Sequence, residues 1–438
     1  MDVLAREYHD ALQSYNGHLL AATISPVAPP HFLNRLDTIR YASDSDSIQN
    51  DVGYSLTKHA RRAISKEDRQ VLELWSEIYT CYWHTLNALI AAQASTNTRP
   101  DWGKVYELWK ELANTVIRGF TTGVLENWAL PVLYMAGRHL RVFAIKADET
   151  KKNTDGELGV DMGGLQDDIA DDFGKNKTLE DAARVINRMF TLCISDRAPL
   201  EESRKWGLYY IANLLFKTYF KLNSISLSKN ILRALSASRT DMPEPDQFPK
   251  SHVVTFKYYV GVIHFLDEDY EQAQQNLTEA LNSCHRNAMR NKALILTYLV
   301  PTRMLTTRSL PSRKLLKPYP RLSTLFLPLV SAIRSGSLSA FDQALAAGEV
   351  SFVKRRIYLT LERGRDICLR NLLRQVYLAA GTDEQGARRT RIRVDEFGAA
   401  IRLGETKGVD GDTVMSDGDS RGIESDEVEC LLANMIYK

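Results

Sequence analysis

The side chains best placed to do chemistry in this sequence are arginines and lysines, because they are concentrated in one region. From Arg286 to Arg393 there are 21 Lys and Arg against 6 Asp and Glu, in a chain of 438 residues whose formal net charge is +2. Clustered cations are the footprint of a polyanion, since each phosphate they neutralise releases counterions. Two runs are densest. "VKRRIYLTLERGRDICLRNLLR" holds Lys354, Arg355, Arg356, Arg363, Arg365, Arg370 and Arg374, and "RRTRIR" holds Arg388, Arg389, Arg391 and Arg393. Three readings stand side by side: a nucleic-acid surface, a surface for an acidic protein, and a solvated basic face that maintains solubility. The second run also fits a nuclear-localisation cluster, a motif of low specificity.

Other chemistries find no support in the residue pattern. None of the nine histidines belongs to HExxH or an H-x-H cluster, and no GxSxG, P-loop or GxGxxG opens a helix after a strand. "GDTVMSDGDS" has the look of a calcium loop but lacks its ligand order and terminal glutamate. His264 and His285 read as structural. Cys81, Cys193, Cys284, Cys368 and Cys430 are far apart, which predicts free thiols in a reducing compartment and no zinc site. The expectation is a protein without catalytic residues, metal or cofactor. Trp206, Tyr209, Tyr210, Phe216, Tyr219 and Phe220 invite thoughts of base stacking, but their spacing largely traces one helix face and predicts core packing.

These side chains must be held by elements that are almost all helical. The chain is 44% hydrophobic and long enough to bury a sizeable core, and no run of about eighteen apolar residues suggests a membrane span. A nuclear or cytoplasmic location follows as an expectation. Ala147 to Lys175 is acidic, glycine-bearing and poor in large apolar residues, which predicts a surface insertion or disordered loop. Gly261, Ala273, Leu277 and Ala280 match tetratricopeptide spacing, with "LDEDY" at the bend. Without a strict period, the prediction is a short solenoid of irregular helical hairpins.

Near residue 365 the pattern changes. "DICLRNLLRQVYLAAG" predicts a helix stopped by glycine, "RTRIRV" a short strand, and "DEFGAAIRLG" a second helix stopped by glycine. An acidic loop, 405–422, leads to "SDEVECLLANMIYK", where Val428, Leu431, Leu432, Met435 and Ile436 form the stripe of an amphipathic helix closed by Lys438. Helix, strand, helix, helix is the order of a winged helix lacking its two-stranded wing. The predicted architecture is therefore all-α: a helical-hairpin solenoid followed by a C-terminal winged helix with little β structure. Its expected divisions are 1–104, 105–310 and 311–438.

Long blocks of the sequence resemble the PCI-domain family, in the branch of signalosome subunit-twelve-like proteins and the PCI subunit of the nuclear mRNA-export complex. They are "ENWALPVLYMAGRHLRVFA", "SDRAPLEESRKWGLYYIANLLFKTYFKLN", "VTFKYYVG", "CHRNAMRNKALILTYLVPTRML" and "DEVECLLANMIYK", and the resemblance spans roughly residues 105 to 438. It implies a non-enzymatic scaffold in the nucleus, with the cytoplasm as a second location. The implied partners are another PCI-type protein or an export scaffold, a small acidic peptide shared with the proteasome lid, and RNA or DNA in the export branch. A purely protein-binding role beside the COP-nine signalosome is the alternative. The family's chains usually continue into a wing, so a shortened C-terminus is a further expectation.

Basic residues recur in the family at the positions of Arg355, Arg363, Arg370 and Arg374. The resemblance thus ranks these first for phosphate contacts, with Lys354, Arg356 and Arg365 next and Arg388, Arg389, Arg391 and Arg393 beside the expected strand. The closing helix presents Asp426, Glu427, Glu429 and Asn434 away from its apolar stripe. An acidic face repels phosphate, so the expected contacts are sequence-independent ones to the RNA or DNA backbone.

Overall fold

The computed structural model describes residues 1–58, 66–94, 100–158, 176–381, 391–406 and 425–437. All regular structure among them is helical, without a strand. The chain divides into two compact units, Met1–Phe256 and Lys257–Lys438.

The first unit opens with α1 (Asp2–Gln13), α2 (Gly17–Thr23), α3 (Arg35–Arg40) and α4 (Ile48–Lys58). Longer helices follow: α5 (Lys66–Ala94), α6 (Trp102–Thr121), α7 (Leu130–Leu158), α8 (Lys177–Ile194), α9 (Leu208–Lys221) and α10 (Ile225–Ala237). Successive members from α5 to α9 pack on one another as a stack of hairpins. The local logic is plain in α6. Asp101 caps it by accepting from the Lys104 N–H at 2.9 Å, and Val105, Trp109, Leu112, Val116 and Phe120 repeat at helical spacing, all buried. Trp109 fills the interior and donates its indole N–H to the Ala136 carbonyl at 2.8 Å. Small residues set the closest approaches. A Cβ on Gly137 would lie 2.9 Å from Leu214 Cδ2, so glycine there lets α7 and α9 come together.

α11 (Lys250–Leu266) crosses the division. The second unit continues with α12 (Tyr270–Ser283), α13 (Met289–Thr306), α14 (Arg313–Leu316), α15 (Pro320–Ser335), α16 (Leu338–Lys354), α17 (Tyr358–Glu362), α18 (Gly364–Ala379), α19 (Val394–Thr406) and α20 (Ser425–Tyr437). The tetratricopeptide-like hairpin forms as its spacing predicts. A Cβ on Gly261 would stand 2.6 Å from Leu277 Cγ, and Ala273, Leu277 and Ala280 are fully buried. α18 packs against α15, α16 and α19, and α20 lies on α19, where Phe397, Ile401 and Val428 are buried.

Four expectations need correction. Residues 391–393 of the predicted strand have no regular conformation, and Val394, its last residue, begins α19. The alternating pattern there is too short to specify a strand when no strand among the described residues offers a ladder. The acidic stretch from Ala147 is helical as far as Leu158, because α7 runs on and buries Ala147 and Asp148. α19 continues past Gly404 to Thr406. Finally, the stripe of α20 is only partly covered: Val428 is buried, whereas Ile436 is 81% exposed. Residues 159–175, 382–390, 407–424 and Lys438 lie outside the described residues, and so do the rest of both acidic segments and the C-terminal charge of α20.

Of the aromatic series, Tyr209, Phe216 and Tyr219 are buried as core packing requires, and Trp206, Tyr210 and Phe220 are half-buried. No helix among the described residues is long and apolar enough to cross a membrane.

Candidate nucleic-acid interface

The first basic group forms where α16 stops. Lys354 is its last residue and Arg355 its C-cap. Arg356 takes the left-handed conformation at φ 58°. The Arg356 N–H donates to the Val353 carbonyl at 2.8 Å and the Ile357 N–H to the Phe352 carbonyl at 3.0 Å. This is a Schellman termination with arginine at the position that glycine usually occupies, and the buried pair Phe352 and Ile357 seals it. Three consecutive cations there also complement the negative end of the helix dipole. Lys354 and Arg356 are exposed, and Arg355 is half-buried, with Nη1 sheltered and without a hydrogen-bond partner among the described residues. Both guanidinium groups lie near Tyr298: burial pushes that phenol's pKa up, and Arg356 and Arg355 pull against it.

The second group follows α18. Arg363, at its N-cap, and Arg370 and Arg374 fall on one face at intervals of seven and four. With Arg308, which follows α13, Arg363 and Arg370 line a groove of about 780 Å³. Its walls include Leu305, Ile367 and Leu369 on one side and Leu431, Asn434 and Met435 of α20 on the other. Arg308 belongs to the basic region but its sequence neighbourhood does not single it out. Nearness to the α18 arginines appears only in the fold.

The candidate cations differ in whether an acid already holds them. Arg363 Nη2 is 2.9 Å from Glu268 Oε2 and its Nη1 is 3.3 Å from the Tyr270 hydroxyl, while the guanidinium lies 5.9 Å from the Tyr270 ring centroid. The Glu268 hydrogen bond, helped by Tyr270, raises the pKa of Arg363. Arg365 Nε pairs with Asp342 at 3.3 Å and Arg393 with Asp395 at 3.1 Å. Lys354, Arg356, Arg370 and Arg374 are exposed and form no ion pair among the described residues. Arg391 is exposed ahead of α19, and Arg388 and Arg389 lie outside the described residues. On α20, Asp426, Glu427, Glu429 and Asn434 are all exposed, as the helix pattern predicts.

A helical-hairpin stack, and a second helical unit whose surface carries cations unpaired among the described residues, are features of a scaffold-type protein. No protein-family model matches the chain. It is 50% identical to a "Protein CSN12 homolog" of Neurospora crassa, over 100% of this chain and 94% of that protein. A "Protein CSN12 homolog" of Gibberella zeae is 46% identical over the same shares. "PCI domain-containing protein 2" of Xenopus laevis is 32% identical over 85% of this chain and 82% of its own length. The chain belongs to the PCI-domain family, in the branch that holds the CSN12 homologs and PCI domain-containing protein 2.

Proposed function

We propose that this PCI-domain scaffold acts without catalysis in the nucleus, where it holds RNA or DNA by the phosphate backbone during transcription-coupled mRNA export. In this reading it docks on an export scaffold of PCI type and takes up a small acidic peptide of the kind found in the proteasome lid. The observation that carries the nucleic-acid part is the set of exposed cations without an acidic partner among the described residues, Lys354, Arg356, Arg370 and Arg374. Cations already paired with carboxylates gain little from phosphate, whereas unpaired exposed ones release counterions on binding. The acidic outer face of α20 supports backbone contact over groove reading.

The test is binding of the full chain to several unrelated RNA and DNA sequences, with Lys354→Glu, Arg356→Glu, Arg370→Glu and Arg374→Glu combined. The expected result is similar affinity for all sequences and loss of binding in the variant. Strong sequence preference, or unchanged binding in the variant, would overturn it.

The names of the fungal relatives favour a second reading, a signalosome-associated subunit acting only through protein contacts. Gentle purification from cells with nuclease present discriminates between them. Recovery of an export scaffold and an acidic peptide supports the first reading, and recovery of signalosome subunits supports the second.

A further inference from the structure

The stretch from Ala280 to Phe341 holds ten Lys and Arg and no Asp or Glu. Four of those cations, Arg313, Lys314, Lys317 and Arg321, crowd the segment where α14 leads into α15. Local structure holds this segment in place. Ser312 caps α14 by accepting from the Leu315 N–H at 3.1 Å, and the Leu316 side chain is fully buried. The Lys317 N–H donates to the Arg313 carbonyl at 3.0 Å, so these two cations stand one turn apart on the same face. Pro318 and Pro320 then restrict the backbone as it enters α15. A groove of about 670 Å³ opens between the two helices, lined by Arg313, Lys314 and Lys317 from the α14 side and by Pro320, Ser323 and Leu327 from α15.

We propose that this groove binds a compact ligand bearing several phosphate groups. First, its cations are uncommitted. Arg313, Lys314 and Lys317 are exposed and make neither an ion pair nor a side-chain hydrogen bond among the described residues, and no lining residue is acidic. Like charges one turn apart repel, and a multivalent anion placed between them replaces that repulsion with attraction. Second, the α15 wall adds donors to the cations. α15 is sixteen residues long, and its N-cap, Tyr319, supplies no side-chain acceptor. The Arg321 and Leu322 N–H groups make no hydrogen bond among the described residues, and the half-buried Ser323 hydroxyl lines the groove in the same turn.

The shape of the site points to a compact ligand. Its volume falls within the range of about 300–1,000 Å³ that small-molecule sites occupy. The cations surround one groove and are not strung along a track, so one guanidinium fork and two ammonium groups can each take a different oxygen of a single polyphosphate. The inference does not rest on the nucleic-acid reading, because Lys354, Arg356, Arg370 and Arg374 are not among the lining residues.

The test titrates the full chain with tripolyphosphate by calorimetry at physiological ionic strength. Beside the parent stand a groove variant, Lys314→Gln with Lys317→Gln, and a control, Lys354→Gln with Arg356→Gln. All four side chains are exposed, so both variants keep the fold. The parent and the control should bind, and the groove variant should bind about tenfold more weakly or worse, as loss of charge-assisted hydrogen bonds requires. Tripolyphosphate should also raise the unfolding temperature of the parent and the control more than that of the groove variant. No binding to the parent, parental affinity in the groove variant, or equal weakening in the control overturns the proposal. A short single-stranded RNA is the second probe. RNA binding that the groove variant loses, without any response to tripolyphosphate, overturns it too and joins the groove to the nucleic-acid surface.

Discussion

Arg363 reaches Glu268 across 95 residues of sequence, with Nη2 2.9 Å from Oε2, and the same guanidinium lies over the Tyr270 ring. It ties α18 to the bend before α12. Arg363→Ala should therefore act mainly on the fold, costing about 0.5–1 kcal/mol as an exposed ion pair with a cation–π contact. Denaturant titration measures the cost. Arg370→Ala on the same helix face should leave stability within about 0.5 kcal/mol.

Arg356 carries a conformational cost in its left-handed position, φ 58°. Glycine has no Cβ to clash there, so Arg356→Gly should stabilise the protein by about 1 kcal/mol while removing one cation that is unpaired among the described residues. In the nucleic-acid reading, the slope of log affinity against log salt should fall by about 0.9 for duplex DNA. Paired thermal unfolding and binding across a salt series check both signs. A stabilised variant with an unchanged salt slope would remove Arg356 from the interface.

Gly261 has no room for a side chain against Leu277. Gly261→Val should overpack the hairpin and destabilise it by about 1–3 kcal/mol. Measured unfolding free energies check this, and a variant as stable as the parent would contradict the close approach of 2.6 Å.

His139 is buried beside Trp109, at 5.7 Å between ring centroids, and burial, with Arg138 adding to it, lowers its pKa to about 4. The unfolded chain holds this histidine near 6.5, so between those values the unfolded state binds more protons. Its contribution to stability is present above pH 6.5 and is lost as pH falls toward 4, amounting to about 3 kcal/mol. Unfolding free energy measured from pH 7 to pH 4 should show this slope, and His139→Gln should flatten it.

Much of the fold is legible locally. Apolar spacing places the helices, and small residues at 261, 273 and 280 announce the hairpin, because both signals depend on neighbours three to four positions away. The concentration of cations from Arg286 to Arg393 needs only counting. Residues 391–394 of the strand expected over 389–394 do not form one, for the complementary reason: strands exist by pairing, and a partner cannot be inferred from six residues.

Which cations stand free is a tertiary matter. Arg363 and Arg374 look alike in sequence, yet Glu268 holds one and no acid among the described residues holds the other. Similarly, Asp148 reads as part of an acidic loop, but it caps α8 by accepting from the Thr178 and Leu179 N–H groups at 3.1 and 2.9 Å, some 30 residues away. Sequence by itself determined the helices and the total of charge, since each is a sum of local choices. Only the tertiary structure decided which charges are neutralised and which converge, because Coulomb energy depends on distances in space that the chain sets by packing distant helices together.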